Sequence, residues 1–390
     1  LVTVADSHIK GDVLIENYQA NTGKITINSA INTSKYNDAH NGNITVKADG
    51  DITTASGADL NASDNISINS KKGSVVTIGN VTAKNAVDIN AANDITANGS
   101  LTSTNANVDL LAGGSITTQG TVNALNNVIA NANGNINTNG DVTATNGNAT
   151  LNSSTGNVNT GNVKANNDVD LDAAKDITAS GNLTSTNANV DLNAGGSITT
   201  KGTVNANNNV IANANGDIST NGDVTAQTGK AKLNSSTGNV TTQNVTADQA
   251  VDIDAAKDIT ASGNLTSTNA NVDLDAGGKI TTNGKVTAQK NVDYNAKGSI
   301  TTGNSINSTA GNIHLQTDAA KGDITFGGDV TANHGNINID VLQNGSVTDH
   351  DNKFKALGDK GDINSDGKVS YIMIQGDPEN VDAQYRTEFS

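Results

Sequence analysis

The 390-residue sequence predicts an all-β parallel β-helix, a solenoid of ~20–21-residue coils with three short strands in each coil. Three observations carry that reading. A ten-residue segment recurs unchanged at a fixed interval, single apolar residues return at about a quarter of that interval, and large side chains are too scarce for a thicker core.

The repeated segment is Leu101-Thr-Ser-Thr-Asn-Ala-Asn-Val-Asp-Leu110, which returns at Leu183–Leu192 and Leu265–Leu274, a spacing of 82. Within that super-repeat, Leu101, Val122, Val142, Val163 and Leu183 follow one another by 21 or 20 residues, so four coils make one block. The blocks are clearest over residues 94–300. A second column runs through Ile95, Ile116, Ile136, Val158 and Ile177, and a third through pairs such as Val87/Ile89, Val108/Leu110 and Val169/Leu171.

Each station is expected to be a short strand. The third column is apolar-x-apolar, which has the period of two that turns alternate side chains to opposite faces. β-branched residues hold most stations, and no long window carries a 3.6-residue apolar period. Gly and Asn cluster between stations, as in Asn131-Ala-Asn-Gly134, where corners need residues that tolerate left-handed backbone. Pro, which would remove a ladder donor, is absent before Pro378.

Composition fits a thin core. Hydrophobic residues make up 34%, aromatics 2%, and there are 63 Asn, 40 Gly, no Trp and no Cys. No single coil buries enough to offset its ordering entropy, because one aliphatic side chain contributes roughly 1.5–3 kcal/mol, so stability must come from stacking coils. About fifteen coils at ~4.8 Å would make a rod roughly 70–80 Å long. Without Cys, disulfides, thiolate metal sites and cysteine nucleophiles are excluded. A formal charge of −16 has the wrong sign for tracking nucleic acid or docking on an acidic membrane. No run approaches the ~18 apolar residues of a spanning helix. Leu1–Lys10 has neither an initiator Met nor a signal pattern, so the chain is expected to be mature or excised from something longer.

The period loosens at both ends. Ile31 and Leu60 are 29 apart, which assigns Ser34–Asn41 to a protruding insertion, and Ile306 to Val330 stretches to 24. After Gly345 the pattern stops, and four of the eight aromatics and the one Arg follow. The expected organisation is a repeat shaft over 1–345 and a non-repeat segment over 346–390, a cap or the start of a following domain.

Coils of the form seen in Gly181–Thr200, Gly-x-Leu-x-Ser followed by Val-x-Leu-x-Ala-x-Gly-x-Ile-Thr-Thr, resemble the repeats of filamentous haemagglutinin-type adhesins, the exoproteins of two-partner secretion. The resemblance covers residues 40–345. It implies a right-handed β-helix forming the shaft of a large bacterial adhesin, secreted or exposed on the cell surface. It also implies passage through an outer-membrane transporter, and host-cell or bacterial surface glycans or proteins as partners. The family's secretion domain and receptor-binding tip have no counterpart here, which marks a shaft fragment. The expected function is cell adhesion or aggregation without catalysis, by a monomeric rod that binds no nucleic acid. The alternatives are a carbohydrate-active β-helix, whether polysaccharide lyase or glycosidase, and a lectin-like glycan-binding module.

Chemistry-bearing residues are sparse. His8, His40, His314, His334 and His350 lack a metal-ligand spacing and are read as surface residues. A lyase needs a basic residue over a groove, and Arg386 lies outside the repeats. The outward position of the third column reads Asp88, Asp109, Ile129, Thr150, Asp170, Asp191, Ile211, Lys232, Asp252, Asp273, Asp293. Aspartates stacked ~5 Å apart repel, and a bound cation such as calcium or raised pKa values would relieve them. The plainer reading is a solvated acidic stripe that discourages lateral aggregation. Asp362-Ile-Asn-Ser-Asp-Gly-Lys-Val369 resembles an EF-hand or dockerin loop, with Asp362, Asn364 and Asp366 as calcium ligands. Its twelfth place is Met373, without the bidentate acid, so the plainer reading is a polar turn, weak calcium binding is the alternative, and no other cofactor is expected. Asn187, Asn207 or Asn208, and Asn269 are candidates for amide ladders, and rows such as Thr225, Thr246, Thr266 and Thr287 for hydroxyl ranks that Asn205 and Lys164 interrupt.

Overall fold

The computed structural model describes residues 7–19, 23–33, 42–318, 322–335, 337–342, 347–349 and 372–375. The chain divides into two compact units, Leu1–Gly195 and Gly196–Ser390. Among the described residues every regular element is a strand.

Both units are built from one kind of coil, with strands of three, five and three residues. In the first unit a representative coil is Val163–Ala165, Val169–Ala173 and Ile177–Ala179. Its counterpart in the second unit is Val245–Ala247, Val251–Ala255 and Ile259–Ala261. Each strand pairs in parallel with the same strand of the neighbouring coil, giving a first, a middle and a last sheet in each unit. Val163 lies opposite Leu183 and Val169 opposite Val190. Val245 likewise faces Leu265, Val251 faces Val272 and Ile259 faces Ile280. The parallel β-solenoid and its register are as the 20–21-residue period requires.

Alternation explains why these short segments are strands. In Val169-Asp-Leu-Asp-Ala173 the first, third and fifth side chains are buried and the aspartates point outward. Burial of Val, Ile, Leu and Ala against their own copies in the coils above and below supplies the core. The largest fully buried side chains are Tyr294 and Phe326, in the second unit. Corners pack so closely that a Cβ on Gly120 or Gly140 would overlap the carbonyl of the glycine one coil earlier.

The interior is more polar than an aliphatic reading anticipates, because strand ends place Ser or Thr inward. Ser103, Ser185 and Ser267 are buried, and so are Thr118, Thr200 and Thr282. The serines clasp the corners. Ser185 Oγ donates to the Asn167 carbonyl at 2.5 Å and accepts the Ala188 N–H at 3.0 Å. Ser267 repeats this with the Gln249 carbonyl at 2.7 Å and the Ala270 N–H at 3.1 Å. One hydroxyl thus satisfies two backbone groups that a turn would otherwise leave unpaired.

Asn ladders are present, mostly as side-chain oxygens receiving the backbone N–H of the next coil. Asn107 Oδ1 accepts from Asn127 N at 3.1 Å, Asn127 Oδ1 from Asn148 N at 2.8 Å, and Asn148 Oδ1 from Asp168 N at 3.3 Å. At the expected positions, Asn187 Nδ2 donates to Asn166 Oδ1 at 2.8 Å and Asn269 Nδ2 to Asp248 Oδ1 at 2.6 Å.

The two long spacings keep the register. Ile31 pairs with Leu60, and Thr33 Oγ1 donates to the Gly42 carbonyl at 2.7 Å, while the insertion assigned to Ser34–Asn41 lies outside the described residues. Ile306 pairs with Val330. Past residue 345, Val347–Asp349 pairs with the last sheet through Ile324, and Ile372–Gln375 with the middle sheet through Ile339.

Candidate functional site

On the outward face of the middle sheet carboxylates stack on neighbouring coils, around Asp170 and at Asp88 and Asp109 in the first unit and around Asp252 and Asp273 in the second. Alternation puts two outward residues on each five-residue strand, and parallel register stacks them into two columns. In the first unit Asp170 lies between Thr150 and Asp191, and Asp172 between Asn152 and Asn193. Asp168 stands at the adjoining corner and accepts both the backbone N–H and Nδ2 of Asn189, at 3.0 and 3.2 Å. Burial in the sheet face pushes the Asp170 carboxyl up to about 6, and the charges of Asp172, Asp191 and Asp168 add to the rise. Burial, then Asp168 and Asp172, also raises Asp191. Asp109, opposite Asp88, is raised by burial and then by the Asp88 charge.

The second cluster has the same columns with different neighbours. Lys232, Asp252, Asp273, Asp293 and His314 follow in register, and beside them Asn234, Asp254, Asp275, Asn295 and Gln316. Lys232 Nζ reaches both carboxylates of the next strand, Asp252 Oδ2 at 2.7 Å and Asp254 Oδ2 at 2.8 Å. Burial opposes the ammonium charge, yet these two bonds hold the Lys232 pKa above its ordinary value. Further along, burial raises both Asp273 and Asp293, and the neighbouring Asp293 charge adds to the rise at Asp273. Of the two forms of relief open to stacked carboxylates, five aspartates thus show the raised pKa.

Sequence reasoning found the first column but missed two of its contacts. The two-pronged grip of Lys232 needs Asp254, which the column of outward residues does not include. His314 extends the column by one coil: its Nε2 lies 3.0 Å from Asp340 Oδ2 and its Nδ1 4.0 Å from Asp293 Oδ1. The signal for that pair was the 24-residue spacing, which puts Asp340 in the adjoining column of the next coil. His334 Nδ1 donates to the Thr309 carbonyl at 2.9 Å.

Beside the second column an open depression of about 420 Å³ is lined by Asn234, Ser236, Asp254, Asp275, Asn295 and Lys297. Its amides, hydroxyl, carboxylates and ammonium can hydrogen-bond a polar ligand. Among the described residues no group of three or more His, Asp or Glu is placed to hold a metal ion. Asp362, Asn364 and Asp366 lie outside the described residues. The threonine rows are in register in the second unit, with Thr225, Thr246, Thr266 and Thr287 on consecutive first strands. Asn205 precedes that row, and Lys164 stands between Thr143 and Thr184 in the first unit.

These features define a parallel β-solenoid with two acidic faces. In comparison with known proteins, the chain matches no family model, no curated protein and no solved structure.

Proposed function

We propose that the chain is a non-catalytic shaft segment of a large bacterial surface adhesin of the filamentous haemagglutinin type. The observation that supports this reading most is the register itself. Within each unit the coils keep one register, and outward residue types recur over stretches of it, as Asp252, Asp273 and Asp293 do, which gives repetitive faces suited to display. The parallel ladders make each coil depend on its neighbours, so folding can propagate coil by coil during export through an outer-membrane transporter. The acidic faces keep such segments soluble and discourage side-by-side association. The partners in this reading are glycans or proteins of host or bacterial surfaces, and the location is the cell surface or the medium.

One observation favours a second reading. The depression between Asp254 and Lys297 offers hydrogen-bonding groups suited to sugar hydroxyls, as a lectin-like module would. A glycan array followed by product analysis separates the readings. The shaft reading expects no release of products, and any glycan binding to be unchanged in Asp254→Ala. Saturable binding lost in Asp254→Ala favours the lectin-like module, and release of oligosaccharides from acidic polysaccharides overturns the non-catalytic reading.

A further inference from the structure

The 82-residue super-repeat puts Asn-Gly dipeptides at matching corners of the two units: Asn133-Gly134 with Asn215-Gly216, and Asn139-Gly140 with Asn221-Gly222. All four asparagines are exposed, so exposure does not distinguish them. Their following N–H groups do. Gly134 N donates to the Gly114 carbonyl and Gly216 N to the Gly196 carbonyl, each at 2.8 Å. At these corners the side chain is also held, with Ser154 Oγ donating to Asn133 Oδ1 and Ser236 Oγ to Asn215 Oδ1, each at 2.9 Å. Among the described residues the N–H groups of Gly140 and Gly222 have no hydrogen-bond partner. Their asparagine N–H groups donate to the Thr118 and Thr200 carbonyls, each at 2.8 Å, while the side chains bond at the surface: Asn139 Nδ2 donates to Gln119 Oε1 at 3.0 Å, and Asn221 Oδ1 accepts from Ser219 Oγ at 3.3 Å.

We propose that Asn139 and Asn221 are sites of spontaneous deamidation and isoaspartate formation in the folded protein, whereas Asn133 and Asn215 are shielded by the fold. In the reaction the glycine backbone nitrogen gives up its proton to solvent base and attacks the asparagine Cγ. A new C–N bond closes a succinimide, the Cγ–Nδ2 bond breaks, and the amide leaves as ammonia. Water then opens the ring at either carbonyl and leaves aspartate or isoaspartate. A glycine N–H committed to a carbonyl of the neighbouring coil must first break that bond, and the free N–H at Gly140 and Gly222 need not. Each event adds one negative charge to a chain already at −16, and the isoaspartate branch inserts a backbone carbon into a corner of the ladder.

The test incubates the folded full chain in mildly alkaline buffer and follows each site by peptide mass spectrometry, with isoaspartate counted by enzymatic methylation. Asn139 and Asn221 are expected to convert about fivefold faster than Asn133 and Asn215, the ratio that about 1 kcal/mol for one ordinary backbone hydrogen bond supplies. In denaturant all four should convert at similar rates. Equal or reversed rates in the folded chain overturn the proposal, and so does a ratio that survives denaturation, since sequence would then set it. In Asn139→Gln the mass gain should vanish from that peptide and persist at Asn221. Persistence in the altered peptide overturns the assignment.

Discussion

The coil of Val169–Ala173 and its counterpart one super-repeat later, Val251–Ala255, have almost the same strand but different neighbours. The inward residues are Val, Leu and Ala in one and Val, Ile and Ala in the other, all buried, and both carry two outward aspartates. The difference lies one coil earlier, where the residue facing the first aspartate is Thr150 in the first unit and Lys232 in the second. Lys232 grips Asp252 and Asp254, while Asp170 meets only hydroxyl and carboxylate neighbours and is pushed up to about 6. The interior is therefore the same in both units, and on the outer face single neighbours adjust carboxylates that burial already raises.

The largest effects should come from the shared interior. Leu171→Ala and Ile253→Ala each remove buried methyl groups from a close-packed column, at a cost of about 2–4 kcal/mol. Equal shifts of the two urea midpoints sustain the equivalence of the interiors. A difference of more than about 1 kcal/mol would break it.

Exchanging the outer neighbours comes next. Lys232→Thr leaves Asp252 and Asp254 without their shared cation and should cost about 1 kcal/mol at neutral pH, because the pair is partly solvated. The reverse change, Thr150→Lys, should gain somewhat less than about 1 kcal/mol. It should also bring the Asp170 pKa down from about 6, as read by carboxyl NMR titration. If Asp170 keeps its raised pKa beside the new lysine, the neighbour is not what distinguishes the clusters.

The unaltered protein should show the same physics in its pH dependence. Asp170 titrates at about 6 in the folded chain against 3.8 as an ordinary value, so between those limits the native state holds more protons than the unfolded one. Stability is then greatest below pH 3.8 and falls as pH rises through about 6, by about 1 kcal/mol once partial solvent exposure is allowed for. Asp273 contributes in the same direction. Urea midpoints that rise across this range would contradict the assignment.

Much of this was legible in the sequence, because a constant 20–21-residue period is itself a register. It put Asp170 over Asp191, Lys232 over Asp252, and Ile31 opposite Leu60 despite the long spacing. Contacts that run diagonally or depend on side-chain reach were not legible. The grip of Lys232 on Asp254 crosses between columns, and the pairing of His314 with Asp340 spans the coil whose length departs from the period. The serine clasps were missed for another reason. Ser185 looks like a polar strand end in the sequence, and only the turn of the backbone makes its hydroxyl a substitute for two missing backbone partners.

The smallest expected effect sharpens the comparison furthest. Asp168 corresponds to Ala250 in the second unit, so Asp168→Ala makes the first cluster more like the second at one corner. Two consequences oppose each other. The variant removes the acceptor of the Asn189 N–H and Nδ2 bonds, each worth about 0.5 kcal/mol net because its groups stay partly solvated. It also removes a charge that raises both Asp170 and Asp191. Stability should therefore change by about 0.5 kcal/mol or less at neutral pH, while the Asp170 pKa moves measurably down. A stability loss well above that, with the pKa unmoved, would make Asp168 a corner fastener and leave burial and the strand neighbours alone to account for the raised carboxylates.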